Sequence, residues 1–145
     1  MEGKITKLTI QRVKGEPGET VTEMLLVEDV GIEGNAIQGG DRQVCIFSSE
    51  ARSWMSGQTQ PGLCFKRFQE NILTENFALE ETQTGDNLCI GNAVLRITEK
   101  KFCFPECVNV IEKRPCRLSA SGRLAAVTKG AVIKTGDTVD KAEQE

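Results

Sequence analysis

The stretch GDNLCIGNAVLRIT, residues 85–98, carries the strongest fold signal in the chain. Two short runs of strand-forming residues, NLCI and AVLRIT, flank the dipeptide Gly91-Asn92. A two-residue Gly/Asn connection between such runs reads as a β-hairpin with a tight turn. Gly85-Asp86 marks the entry to the first run. The same punctuation recurs outward in both directions. Towards the N-terminus, Gly15-Glu16-Pro17-Gly18 follows the alternating stretch Lys4 to Gln11. Gly31 to Gly34 and Gly39-Gly40-Asp41 then precede the apolar run Val44 to Phe47. Towards the C-terminus, Lys129-Gly130 and Gly136-Asp137 divide the last third, and the two TGD triplets at 84–86 and 135–137 read as separate strand entries. Short strands at this spacing predict a mainly β barrel or sandwich.

Helical signals are sparse. Ser48 or Ser49 can cap EARSWMSG, with Ala51, Trp54 and Met55 spaced towards the core and Gly57 as the stop. Further short helical segments are expected after Arg67 and near Ser119 to Leu124. Residues 56–62 read as a surface loop, and the tail from about 141 to 145 as a frayed end. No internal repeat or linker is visible, so residues 1–145 are read as one domain.

Composition narrows the function classes. A chain of 145 residues can bury a continuous core without metal or disulfide support. No apolar run approaches the roughly 20 residues of a membrane helix, and MEGKITKLTI has no signal-peptide core. A cytoplasmic location is therefore expected, where thiols stay reduced. The net charge of −3 leaves no basic stripe for broad nucleic-acid binding. Histidine is absent, which excludes Ser-His-Asp and Cys-His catalysis and His-ligated metal sites; tyrosine is absent too. Any nucleophile or metal ligand must come from Cys, Asp, Glu, Lys, Ser or Thr.

The six cysteines divide into two groups. Cys45 and Cys89 lie inside strand runs and are expected in the core, as small hydrophobes; Cys64 is read in the same way. Cys103, Cys107 and Cys116 lie instead in KKFCFPECVNVIEKRPC, residues 100–116, among Lys100, Lys101, Lys113, Arg114 and Arg117. This segment follows the run Ala93 to Thr98 directly, a position where sites are commonly built. A free thiol titrates near 8.5, leaving about 3% thiolate at neutral pH, and neighbouring cations raise that fraction. Three readings stay open on local pattern: a reactive sulfur, three inert thiols, or a zinc site. Zinc would need a fourth ligand, Cys64 or an acid, beside the spacing Cys-x3-Cys-x8-Cys.

Several motifs, taken in order, resemble the MOSC domain, the module named for the C-terminal part of molybdenum cofactor sulfurases. VGIEGNAIQGGDRQVCIFSSE is similar to the family's Gly-rich loop leading through an arginine into a buried strand. RFQENILTENFAL resembles its segment around a Glu-Asn pair, here Glu70 and Asn71. TGDNLCIGNAVLRITEKKFC resembles its Gly-Asp hairpin ending in a cysteine, and GRLAAVTKGAVIKTGDTV its closing segment. Together they cover roughly residues 5 to 140, and the resemblance implies a MOSC-like β-barrel with a few short helices.

The resemblance implies binding of molybdenum cofactor (molybdopterin) or handling of sulfur for it. The family's functional cysteine, which carries persulfide sulfur or ligates molybdenum, maps onto Cys103, with Cys107 and Cys116 matching further cysteines of small stand-alone relatives. Cys103 and Cys107 are thus the catalytic candidates and Cys103 the metal ligand. Cys116 joins Cys103, Arg42, Arg67 and Asn71 as candidates for contacting or bracing the cofactor. A phosphate-bearing pterin asks for a cationic, Gly-rich wall, for which Arg42 beside Gly39-Gly40 and Arg67 are candidates. Arg42 also reads as a surface charge at a strand start, Arg67 as a helix-turn partner of Glu70, and Asn71 as a brace for backbone. The chain departs from the family in having Gly34-Asn35 and Ile37-Gln38, where relatives commonly carry Gly-Asp and a nearby His, and Phe104 after the first cysteine. It has no pyridoxal-phosphate-dependent domain. The partners this implies are a cysteine desulfurase-type sulfur donor and, as acceptor, a molybdoenzyme or cofactor-biosynthesis protein. A non-catalytic molybdopterin carrier and a Cys-based zinc or redox module are the alternative readings.

Overall fold

The fold was obtained as a computed structural model that describes residues 3–13, 18–40, 43–56, 70–100 and 122–142. These residues form eleven strands and one α-helix. In chain order the strands are β1 (Gly3–Ile10), β2 (Glu19–Val21), β3 (Glu23–Val27), β4 (Gly31–Ile32) and β5 (Val44–Ser48). Helix α1 (Ser49–Ser56) follows, then β6 (Ile72–Glu75), β7 (Asn87–Ile90), β8 (Ala93–Lys100), β9 (Arg123–Lys129), β10 (Ala131–Lys134) and β11 (Thr138–Lys141).

Seven strands close on themselves in the order β1-β11-β7-β8-β9-β5-β6, and β2 extends the sheet from β1. Closure removes the free edges that an open sheet would expose. β7 and β8 form the expected hairpin, with Asn87 opposite Arg96 and Ile90 opposite Ala93. The turn requires Gly91, whose φ of 56° is left-handed and whose Cβ, if present, would stand 2.7 Å from Asp137 Oδ2. β5 and β6 run parallel, with Ile46 opposite Ile72. Parallel neighbours need a crossover, and α1 is part of it. Ser48 caps α1 by accepting the Ala51 N–H on Oγ at 3.1 Å, and Ala51 is fully buried. No helix among the described residues is long and apolar enough to cross a membrane.

Alternation fills the barrel. Leu88 and Ile90 of β7, Leu95 and Ile97 of β8, and Ile46 and Ile72 of the parallel pair all point inward. β1 changes phase midway: Gly3 and Ile5 are buried, then Leu8 and Ile10, because a register shift falls between Ile5 and Lys7. β3, β4 and β10 form a second, three-stranded sheet that buries Met24, Leu26, Ile32 and Ile133. The Asp29 N–H donates to the Val127 carbonyl at 3.0 Å, tying this sheet to β9.

Several sequence expectations change. Cys45 and Cys89 are half-buried and in no disulfide, not core residues. Period-two alternation already turns Ile46, Leu88 and Ile90 inward, so the intervening cysteines take the outer face. Gly31 lies in strand β4 and not in a turn, and Leu124 is strand, not helix. Pairing continues into the expected frayed tail, since Lys141 ends β11 and the Ala142 N–H donates to the Asn87 carbonyl at 2.8 Å. The expected helical segment after Arg67, the stop at Gly57 and the packing of Trp54, Met55 and Cys64 lie outside what is described.

Candidate functional site

Asn71 is the sequence candidate that falls within the described residues, directly ahead of β6. Its Oδ1 accepts the Cys45 N–H at 2.9 Å, and its Nδ2 donates to the Thr9 carbonyl at 3.2 Å and to Asn35 Oδ1 at 3.4 Å. The Asn71 backbone bonds the same two strands, donating to the Cys45 carbonyl at 2.8 Å and accepting from the Thr9 N–H at 2.9 Å. A carboxamide combines two donors with an acceptor, so one side chain can close the gap where β1 and β5 diverge around β6. Asn71 is a brace.

Asn35 is the second hub, 8% exposed. Besides meeting Asn71, its Oδ1 accepts the Gln11 N–H at 2.9 Å, and its Nδ2 donates to the Ile37 carbonyl at 3.2 Å. Gln38 Nε2 donates to the Ile32 carbonyl at 3.4 Å. The amides at these two divergent positions therefore shape the Gly-rich loop. A carboxylate at position 35 would set an acceptor against the Ile37 carbonyl, so the amide suits this geometry where an acid would not.

The loop returns to the barrel through buried Gln43. Its Nε2 donates to the Gly40 carbonyl at 2.8 Å and its Oε1 accepts the Val127 N–H at 3.0 Å. Gly39 and Gly40 both adopt left-handed φ, 75° and 70°, and a Cβ on either would meet nothing within 4 Å among the described residues. No described residue packs against the pair, which is compatible with a ligand-facing wall. The Gly39 N–H, however, donates to the Val30 carbonyl at 2.7 Å, so this amide serves the loop itself. Arg42, between Gly40 and Gln43 in the chain, lies outside the described residues, as do Arg67, Cys103, Cys107 and Cys116.

Three charged residues that the sequence reading passed over are built into this region. Arg52 of α1 pairs with Glu70, which is 7% exposed, and sits 5.3 Å above the Phe47 ring. The Glu70 carboxylate is thus engaged across the crossover by α1. Arg123, 1% exposed, points into the barrel from the start of β9. Its Nε donates to Thr82 Oγ1 at 3.0 Å, its Nη2 to the Thr82 carbonyl at 3.4 Å and its Nη1 to the Gly122 carbonyl at 3.0 Å. The signal was present: Arg123, Ala125 and Val127 share one face by period two. The third is Glu50 of α1. Burial raises its carboxyl, but hydrogen bonds from the Asn76 and Glu50 backbone N–H groups and the Ser48 and Ser49 hydroxyls outweigh that and hold it below the usual range.

Register relates these parts. Ile46 is the partner of both Arg123 on β9 and Ile72 on β6. Strands lie about 4.8 Å apart, so Arg123 and the Asn71 hub are separated by about 10 Å across the sheet. Arg123 is also the partner of Lys100, the last residue of β8. The cysteine-bearing segment therefore leaves and re-enters the barrel at two adjacent points beside this cluster. Among the described residues no group of three or more Cys, Asp or Glu is arranged to hold a metal ion; the cysteines proposed for zinc lie outside them.

Comparison with solved structures identifies the same architecture elsewhere. YuaD of Bacillus subtilis matches with a TM-score of 0.68 at 17% identity, over 99% of this chain and 98% of that one. YiiM of Geobacillus stearothermophilus matches with a TM-score of 0.67 at 17% identity, over 97% of this chain and 75% of that one. YiiM of Escherichia coli gives 0.64 at 16% identity, over 100% and 71%. At such identities the likeness concerns the fold. No curated protein sequence matches the chain. The family model for the MOSC domain matches residues 33–140, a stretch running from the Gly-rich loop through the Asn71 hub and β8 to β11. The chain belongs to the MOSC domain family.

Proposed function

We propose that the chain handles sulfur for, or binds, molybdenum cofactor, with Cys103 as the working thiol. The observation that carries this reading is the pairing of Lys100 with Arg123 at the lip of a barrel whose family match spans the whole cysteine segment. Cys103 is three residues beyond Lys100, and three residues reach at most about 11 Å even when fully extended. Cys103 is thus close in the chain to the strand end that Arg123 adjoins. Lys100, Lys101 and the cations at 113, 114 and 117 add to the local charge that favours thiolate.

In the sulfur-carrier reading, the Cys103 thiolate attacks the terminal sulfur of a donor persulfide. The donor S–S bond breaks, its thiolate leaves with the electron pair, and Cys103 holds the new S–S bond. No oxidant is needed, because the sulfane sulfur moves without net redox change. The donor is another protein, of the cysteine desulfurase kind, and a molybdoenzyme or cofactor-biosynthesis protein is the acceptor. Cys107 is the second catalytic candidate, and Cys116 is assigned to cofactor binding.

The residue types at the candidate positions suit molybdenum cofactor in kind: a soft thiolate for the metal and guanidinium groups for the phosphate. Among the described residues nothing packs within 4 Å of a Cβ placed at Gly39 or Gly40, which supports a ligand lying against this backbone. Arg42 and Arg67 would engage its phosphate, and Asn71 would hold the wall in place through β1, β5 and Asn35. When bound, the cofactor supplies a metal centre for which a soft thiolate such as Cys103 is a suitable ligand. A second reading, a non-catalytic carrier of molybdopterin, is favoured by Asn35 and Gln38. Both amides brace the loop and neither transfers protons near neutral pH.

The test is sulfur loading. Incubation with a cysteine desulfurase and cysteine should add one sulfur atom by intact mass and yield cyanide-releasable sulfane sulfur, both lost in Cys103→Ala. Copurified molybdopterin without sulfur uptake would establish the carrier instead. Uptake unchanged in Cys103→Ala would remove Cys103 from the mechanism.

A further inference from the structure

The described surface carries five exposed large hydrophobic residues: Val13, Leu25, Val30, Ile37 and Val132. None lies on the outer wall of the closed barrel. Leu25 and Val132 face each other across the β3–β10 ladder and are 39% and 47% exposed. Val30 lies in the β3–β4 turn, and its carbonyl binds the Gly39 N–H, which draws the loop carrying Ile37 to the same sheet. Val13 follows the exit of β1. Where β1 leaves the barrel, a groove of about 320 Å³ opens between Ile10, Arg12, Leu25, Glu33 and Val132. Of the five, Leu25 and Val132 line this groove side by side, and paired apolar surface at a groove marks an interaction site where single scattered residues would not.

The charge around this patch has a definite sign. Residues 18–40 contain Glu19, Glu23, Glu28, Asp29 and Glu33 and not one lysine or arginine. Among the described residues, Arg12 is the cation that lines the groove. Arg12 is taken by Glu19, with Nε to Oε2 at 2.7 Å, and Lys134 stands opposite Glu23 in the ladder. Glu28, Asp29 and Glu33 make no ion pair among the described residues. Glu33 sits beside Leu25, since its N–H donates to the Leu25 carbonyl at 3.0 Å. Most of the patch precedes residue 33, where the family match begins, so it stands apart from the Cys103 reading.

We propose that this face docks a protein partner through an extended segment bearing both lysine or arginine and apolar side chains. The apolar side chains cover Leu25 and Val132, and the cations meet Glu33 and, at the far end of the β3–β4 hairpin, Glu28 and Asp29. Electrostatic matching of this kind sets partner choice and encounter rate, while the apolar pair provides the dry centre.

The test uses a blocked peptide of alternating leucine and lysine, titrated into protein carrying labelled leucine and valine methyl groups. The expected result is saturable shifts centred on Leu25 and Val132, weakened by salt and absent for the leucine–glutamate analogue. The double variant Glu28→Lys/Glu33→Lys should bind at least about tenfold more weakly, and Leu25→Ser should abolish the shifts. All three positions are exposed, so folding is retained, and circular dichroism checks it. Equal binding of both peptides, undiminished binding to the double variant, or shifts centred elsewhere would overturn the proposal. Concentration-dependent self-association abolished by the same substitutions would assign the face to a second copy of the chain and equally overturn it.

Discussion

Replacing Asn71 by alanine isolates the bracing role on which the candidate site rests. The side chain holds the Cys45 N–H at 2.9 Å and the Thr9 carbonyl at 3.2 Å. Alanine leaves both without their side-chain partner, while the backbone bonds of residue 71 to the same strands persist. A buried polar group deprived of its partner costs about 1–3 kcal/mol, and the partial burial of these two puts each near the lower figure. The expected loss is therefore about 2–3 kcal/mol, a fall in melting temperature of roughly 5–10 °C for a domain of this size. Urea unfolding followed by circular dichroism measures it, with an unchanged m-value showing that the folded state is intact. Aspartate at the same position is the sharper control. It keeps an acceptor for Cys45 but turns acceptors towards the Thr9 carbonyl and Asn35 Oδ1, so it should be no better than alanine. A double-mutant cycle of Asn71→Ala with Asn35→Ala should show coupling above about 0.5 kcal/mol, since the two amides share a bond. A loss below about 0.5 kcal/mol in Asn71→Ala would refute the bracing argument and return Asn71 to the set of direct ligand contacts.

Thr82→Val should destabilise the protein by about 1.5–3 kcal/mol by removing the hydroxyl acceptor of the buried Arg123 guanidinium, whereas Thr82→Ser, which keeps it, should cost under about 1 kcal/mol. Chemical denaturation of the two variants side by side tests this. Gly91→Ala should cost more than Gly39→Ala: both residues have left-handed φ, but among the described residues only at Gly91 does the new Cβ press on a neighbour, Asp137 Oδ2, which must shift away from the Lys134 N–H it accepts. Glu50 and Asp86 both have lowered carboxyl pKa values; for Asp86 the main cause is the Gln83 N–H, with the Lys141 ammonium 3.3 Å away adding to it. A depressed native pKa means the unfolded chain binds more protons in this range. The stability these groups supply is thus complete above about pH 5 and is lost as pH falls through and below their ordinary values of 4.5 and 3.8. Urea midpoints from pH 6 to 3 should accordingly fall less steeply in Glu50→Gln than in the wild type.

Strand entries and turns were legible in the sequence because they are written locally. Gly91-Asn92, the two TGD triplets and Ser48 ahead of α1 each act through their own backbone or the next turn, and each stands where the local chemistry put it. Barrel closure was not legible in the turn spacing, which left barrel and sandwich open; the resemblance to the MOSC family implied the barrel, and the structure bears it out. Closure depends on β1 meeting β11 and β6 at once, pairings that join the two ends of the chain and leave no local mark. Period two already set Arg123 on the face of Ala125 and Val127, and Cys45 and Cys89 on the face opposite Ile46, Leu88 and Ile90; closure decided only which face became the inside. The roles of the amides were hidden for a related reason. Asn35 and Asn71 are 36 residues apart in the chain, and only the meeting of β1, β5 and β6 makes them neighbours. Sequence alone therefore established the elements and nominated the residues. Tertiary structure chose which polar groups brace and which charges are buried, since hydrogen bonding and desolvation depend on what folding brings alongside.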